Sequence, residues 1–508
     1  VALDIPDSVH GTVLARMDRL PEDHKLTLKV ASVIGRTFRL ATLQAVHPAS
    51  PPREGLREQI EAMGQRDFVR LEAALEEDPI FIFKHNTTQE VAYDTLLYSQ
   101  RQQLHAAVGV WYERTYGEER PLEALTLDSP LAAHYPLLAH HWRNAEQPVR
   151  ERVYAGLAGE QAAKQYANES ALRYFTRALE LTPEVQPTAR YRLLLGREGV
   201  YDVMGQREPQ AQDVTALHAL AAQLGDSGKQ ADVALREANY ARFTGDYPTA
   251  LAAAQAALSH AQVAGNPTTQ ARSYHEWGRL LWQQGQYDDS RTRLSEALAL
   301  ARAIGDQLQE ARSFYDIATA YYEQSDYAEA ETCYQQALPL YQRVGYRRGE
   351  IDCRMMFGSI HYQTGQYIAA QQDYEEALAV ARTIGWRLAE AFLLGNLGNN
   401  YFDMGDYLQS EHYHLQALAI CRETGNRLRE AMSLDTLGLV YYAFERSEEA
   451  QAHYQQALAI QRDMGARRDE AYTLHHLGLA LENIKDYEQA HQIFTQARRI
   501  RQELEQIA

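Results

Sequence analysis

Five aromatic residues of this chain, Trp282, Tyr322, Tyr362, Phe402 and Tyr442, follow one another at a constant step of 40 residues. Rings repeated at equal intervals make a stripe on which an extended peptide or a flat ligand can stack. Arg242, Arg279, Asn399, Asp403 and Glu482 flank that stripe in the repeat frame and supply donors, acceptors and charge of both signs. The same rings would equally serve packing between neighbouring repeats, so the pattern leaves binding and packing both open. A second group is local. The β-branched and aromatic run IFIFK (80–84) delivers His85 ahead of a long helical region, where it either presents an imidazole or packs at the end of a hairpin.

Other constellations are missing from the sequence. GDSGKQ (225–230) has neither the spacing of a phosphate-binding loop nor a hydroxyl after its lysine. No H-E-x-x-H, paired C-x-x-C or G-x-S-x-G occurs. His134, His140 and His141 invite a metal reading, but on one helix positions 134 and 141 lie two turns apart, about 10 Å. Zinc needs its nitrogen ligands near about 2.1 Å. The expectation is a chain that is no enzyme by itself, with no catalytic residue, no metal and no cofactor of its own.

The 508 residues exceed one compact core, so several domains or an extended repeat are expected. Net charge is −18, and only six of the 50 basic residues are lysines. That excess of acid argues against a phosphate-tracking surface and hence against nucleic acid as a partner. No run of about 18 or more apolar residues predicts a membrane span, and no charged-then-apolar leader is visible. Three cysteines scattered through helical segments form no disulfide framework and suit a reducing cytoplasm. The chain opens on Val1 rather than methionine, which reads as a fragment of a longer protein or a processed form.

The repeat itself is explicit. TGDYPTALAAAQAAL (244–258) returns as QGQYDDSRTRLSEAL (284–298), QSDYAEAETCYQQAL (324–338), TGQYIAAQQDYEEAL (364–378) and MGDYLQSEHYHLQAL (404–418). FERSEEAQAHYQQAL (444–458) and IKDYEQAHQIFTQAR (484–498) complete it without an insertion. Gly278, Gly358, Gly398, Gly438 and Gly478, with Ala238 and Ala318, hold one position where only a small side chain lets the paired helix approach. Gly245, Gly285, Gly365 and Gly405 sit where a left-handed residue would end the first helix, and Asp246, Asp326, Asp406 and Asp486 could cap the second. Ser325, Glu445 and Lys485 replace the turn glycine, and Ser447 replaces the tyrosine, so AFERSEEA (443–450) is the weakest expected joint. Arg302, Arg382, Arg422 and Arg462 close second helices while Glu310, Glu350, Glu390, Glu430 and Glu470 open first ones, which predicts ion pairing between repeats.

A fixed period in this range means stacked units, each too small to bury its own apolar face. The pattern resembles the tetratricopeptide repeat over roughly residues 152–508, in the 40-residue form of the Pins/LGN-type and kinesin-light-chain-like proteins. Two degenerate units, 158–181 and 193–220, precede the regular series. The resemblance implies a right-handed α-solenoid whose first helices line an inner groove holding a protein, a peptide or a small inducer.

Before the array, HGTVLARMDRL, HKLTLKVASVIGRTF and REGLREQIEAMGQRDFV read as three helices, and FVRLE (68–72) with IFIFK as a hairpin. Three helices and a hairpin make a winged helix, but 13 basic against 16 acidic residues over 1–115 disfavour a nucleic-acid role. IPDSVHGTVLARMDRL, LKVASVIGRTF and FIFKHNTTQEVAYDTLLYSQRQQLH resemble the segment that follows the ATPase core in bacterial STAND regulators, in particular the ATPase/TPR proteins fused to adenylate cyclase or kinase domains. This likeness implies that His85 reaches the β-phosphate of bound ADP, a nucleotide held only if an ATPase domain lies upstream. It also implies that the full-length parent oligomerises on activation. The family more often has small or aliphatic residues where this chain has Asn86 and Thr87.

The expected fold is therefore all-α: a TPR α-solenoid preceded by a small winged-helix-like domain with a β-hairpin. Its parts would be a winged-helix-like domain (1–115), a helical connector with the first degenerate repeat (116–190) and the tandem array (191–508). The expected function is the sensor and interaction module of a cytoplasmic STAND-type regulator, with a stand-alone cytoplasmic TPR adaptor as the alternative.

Overall fold

The computed structural model describes residues 7–74 and 78–505. Ile5, the acidic turn at 75–77 and the last three residues of the expected end-capping stretch lie outside the described residues. The chain divides into two compact units, Val1–Arg236 and Glu237–Ala508.

The first unit opens with α1 (Asp7–Asp18) and α2 (Glu22–Ile34), followed by β1 (Thr37–Arg39), α3 (Leu40–Val46) and α4 (Arg53–Gln65). Next come β2 (Val69–Ala73), β3 (Ile80–Phe83), α5 (Asn86–Asp94) and α6 (Tyr98–Tyr116). The hairpin expected from the sequence is β2 and β3, and β1 adds a third antiparallel strand in the order β1-β3-β2. The helix expected to run to Phe38 breaks at Gly35, whose φ of 147° suits glycine, and Phe38 then pairs with Phe81 across the sheet. A three-residue strand carries too little alternation to be seen in the sequence; β3 provides its partner. Leu28, Leu43, Leu56, Ile60, Phe68 and Phe83 bury against one another, closed by Val91, Leu104 and Val108 from α5 and α6.

The other face of α6 joins a second core with α7 (Tyr135–Asn144), α8 (Pro148–Lys164), α9 (Asn168–Glu180), α10 (Pro187–Met204) and α11 (Arg207–Leu224). Close approach here is set by glycine. A Cβ on Gly109 would stand 2.6 Å from the Trp142 ring, and Cβ atoms on Gly159 and Gly196 would stand 2.9 and 2.6 Å from Phe175. Phe175 thereby ties α8 to α10.

The second unit is a stack of helix pairs that begins within α12 (Ser227–Phe243) and continues through α13 (Tyr247–Val263). First helices are α14 (Pro267–Gln283), α16 (Gln307–Glu323), α18 (Arg347–Gln363), α20 (Arg387–Asp403), α22 (Arg427–Ala443) and α24 (Arg467–Asn483). Their second helices are α15 (Tyr287–Ile304), α17 (Tyr327–Arg343), α19 (Tyr367–Thr383), α21 (Tyr407–Thr424), α23 (Ser447–Met464) and α25 (Tyr487–Glu505). Each first helix ends on a left-handed residue, and the next amide bonds to the carbonyl five residues back at 2.8–3.0 Å. Ser325, Glu445 and Lys485 adopt that geometry too, at φ of 64°, 61° and 63°. Asp246, Asp406 and Asp486 accept from the amides of Thr249, Gln409 and Gln489, whereas Asp326 makes no side-chain cap. A Cβ on Gly358, Gly398 or Gly478 would sit 2.5 Å from Tyr374, His414 or Phe494 of the paired helix, so these glycines set the interaxial distance.

Between repeats, one acid binds two bases. Glu390 takes Arg382 Nε at 2.8 Å and Arg387 Nη1 at 2.6 Å, and Glu430 and Glu470 repeat the arrangement with Arg422 and Arg427 and with Arg462 and Arg467. Burial opposes ionisation of Glu390, but the two arginines hold its pKa below the usual carboxylate value.

Candidate functional site

Successive first helices of the second unit touch one another directly, α14 with α16 through to α22 with α24, more closely than successive second helices do. The stack therefore bends with its first helices on the inner side, and their outward positions form one groove. The aromatic column lies near the end of each first helix. All five rings are half-buried. Tyr322, Tyr362 and Phe402 lie against the tyrosine that starts their own second helix, with ring centroids 5.5, 5.8 and 5.3 Å from Tyr327, Tyr367 and Tyr407. One side of each of these rings is thus committed to packing at the helix turn. Trp282 buries an indole N–H that has no hydrogen-bond partner.

The flanking residues separate into two groups. The Tyr362 hydroxyl donates to Asp403 of the next repeat. Arg242 Nε binds Glu276 at 2.9 Å, and Arg279 reaches Glu276 at 3.4 Å and Asp316 at 3.7 Å. Asn399 and Glu482 are exposed. His85, in the first unit, belongs to neither group. It precedes α5 with its side chain exposed, next to Lys84, whose Nζ lies 2.6 Å from Asp67.

The structure also brings residues to the groove that no single repeat signals. His275 Nε2 lies 2.8 Å from Asp316. Burial by itself would raise the Asp316 pKa, yet His275, Arg279 and Arg312 hold it low. Asp352 lacks such partners: burial pushes its pKa up to about 6, against the pull of Arg348 and with a further push from Asp316. Farther along, the same column turns apolar, with Phe392, then exposed Met432 and Tyr472. Arg429 covers the Phe392 ring at 3.4 Å. Charged at its first repeats and apolar at its last, this face can order a partner along its length.

The three histidines considered for a metal part company. His134 packs on the rings of Tyr112 and Tyr116, while buried His141 meets His105 of α6, Nδ1 to Nδ1, at 2.8 Å. Among the described residues no three His, Cys, Asp or Glu side chains are placed to hold a metal ion. Nor is any described helix long and apolar enough to cross a membrane.

Sequence profiles of the tetratricopeptide repeat match residues 229–303, 269–343, 309–383 and 389–463, and a second profile of the same description matches 471–505. This part of the chain belongs to the tetratricopeptide-repeat family. Among solved structures, it is similar to BtubC (BKLC) from P. vanneervenii, at 20% identity over 43% of this chain and 92% of that one, with a TM-score of 0.40. Aspartyl phosphate phosphatase F from Bacillus subtilis matches at 13% identity over 68% of this chain and 94% of that one, with a TM-score of 0.47. A Signal Transduction ATPase with Numerous Domains (STAND) protein with a tetratricopeptide repeat sensor, from Pyrococcus horikoshii, also matches at 13% identity. That match covers 82% of this chain and 66% of the other, with a TM-score of 0.47. No curated protein sequence matches the chain.

Proposed function

We propose that the TPR array is the partner-binding sensor of a STAND-type signalling regulator and that its groove takes an extended peptide. The observation that carries the peptide reading is the continuous inner face of six first helices, with half-buried rings at equal spacing and unlike chemistry at its two ends. A folded globular partner would meet that curved face at few points, whereas an extended chain can follow it repeat by repeat. Peptides selected from a random library on the full chain should lose more than roughly tenfold in affinity when Trp282 and Tyr322 are both changed to alanine. Unchanged affinity would reduce the stripe to a packing element.

The STAND reading rests on the first unit. The element order α2-β1-α3-α4-β2-β3, with β1-β3-β2 as one antiparallel sheet, supports reading this unit as a winged helix, with exposed His85 just after β3. In a protein that joins this chain to an upstream ATPase domain, His85 would donate to the β-phosphate of ADP. Purified with its nucleotide, such a protein should retain ADP, and His85→Ala should release it. Equal retention by the variant would leave the second reading, a TPR adaptor without nucleotide control, in which the wing is structural.

A further inference from the structure

The first unit contains a cavity of about 510 Å³ between α8, the start of α10, the connection leading into α10 and the 3-10 turn Leu122–Ala124. Leu125, Val153, Leu157, Val185 and Leu193 form its walls. Two arginines enter it, and they differ in how they are neutralised. Arg192 forks onto Glu160, Nε to Oε1 at 2.7 Å and Nη2 to Oε2 at 3.0 Å. The Arg152 side chain is only 11% exposed, yet its carboxylate partner Glu123 stands 3.9 Å away and is 65% exposed. Its Nη1 donates to the side-chain oxygen of Gln186, a neutral group. By contrast, the more exposed Arg177 and Arg197 of the same unit each hold a carboxylate in a two-point grip at 2.6–3.2 Å.

A guanidinium keeps its proton at any ordinary pH, and withdrawing it from water without a close counter-ion is costly. Arg152 therefore has only a distant, exposed carboxylate where its neighbours hold a close one in a two-point grip. The volume falls within the range of small-molecule sites, about 300–1,000 Å³, and such sites combine apolar walls with a few fixed polar groups. Glu160 and Glu123 at the cavity disfavour a dianion such as a phosphate monoester. We propose that this cavity binds a small amphipathic monocarboxylate, its carboxylate forked on Arg152 and its aliphatic body lying along Leu125, Leu157 and Leu193. The site lies in the first unit, and its assignment does not rest on what the repeat groove binds.

The test is calorimetric titration of the full chain with decanoate, with decylammonium as the probe of equal tail and opposite charge. Decanoate should bind saturably at one equivalent, and decylammonium should bind at least roughly tenfold more weakly. Arg152→Met should weaken decanoate by a similar factor. Val185 is 86% exposed, so Val185→Glu leaves the fold intact while placing a negative charge at the rim, and it too should weaken decanoate. If Arg152→Met does not fold, Val185→Glu and the decylammonium comparison decide. Equal binding of the two probes, decanoate affinity unchanged by Val185→Glu or by a folded Arg152→Met, or no saturable binding of decanoate would overturn the assignment.

Discussion

His105 and His141 meet between α6 and α7, both buried, and that burial lowers the basicity of each. Burial, then the charges of His140 and Arg101, lower the His105 pKa to about 3, and burial with the other two histidines holds His141 well below its usual value. The Tyr93 hydroxyl lies 3.0 Å from His105 Nε2, while His141 Nε2 has no partner. In such a pair one ring donates and the other accepts, so both stay neutral. The unfolded chain binds protons at these sites from about pH 6.5 downward, whereas the folded chain resists until far lower, so the pair's contribution is complete above about 6.5 and declines as pH falls. Urea stability of the protein should fall between pH 6.5 and 5, above the range where Glu390, held below its usual value, protonates. Asp352, raised to about 6, opposes the fall because the folded chain takes up its proton first. Replacing His105 by Gln and His141 by Leu together should flatten that decline. An identical pH profile in the double variant would rule the pair out as its source.

At the scale of the element, the turn between first and second helices is the same hydrogen-bonded structure whatever residue occupies it. Glycine is not required by space, since a Cβ at Gly365 or Gly405 would meet nothing within 4 Å. The cost of Ser325, Glu445 and Lys485 is thus conformational, about 1–2 kcal/mol for a left-handed L-residue. Part of this is offset because glycine loses more backbone entropy on folding. Glu445→Gly should therefore stabilise the protein by about 0.5–1 kcal/mol, read from the urea midpoint at constant slope. No gain would mean that the Glu445 side chain contributes contacts worth as much as the strain.

For the whole molecule, the consequence of a stack is that stability is local: each repeat in the second unit rests on its neighbours alone. The joint between α22 and α23 combines left-handed Glu445 with Ser447 in place of a tyrosine, and beside it opens a polar cavity of about 640 Å³ bordered by Arg446 and Asn483. Amides of α23 and α24 should accordingly exchange with solvent at a lower opening free energy than those of α17 and α18. Glu445→Gly should narrow the difference. Uniform protection along the unit would show that the joint is no weaker than the rest.

The sequence by itself determined whatever depends on neighbours in the chain. The period, the small residues between paired helices, the left-handed turns and the acid-to-arginine joints all recur every 40 residues, so each copy confirms the others. The aromatic column was legible for the same reason. Tertiary structure decided the rest. The strand Thr37–Arg39 exists because β3 pairs with it, and the His105–His141 contact joins residues from two helices whose local patterns are ordinary. Arg152 looks like any helical arginine until its carboxylate is seen to stand off at 3.9 Å. In the groove, Asp352, Phe392, Met432 and Tyr472 hold one repeat position but differ in kind from one repeat to the next, and Asp316 stands at another, which leaves no periodic signal. Only the bend of the stack, set by how closely successive first helices pack, puts them on one face.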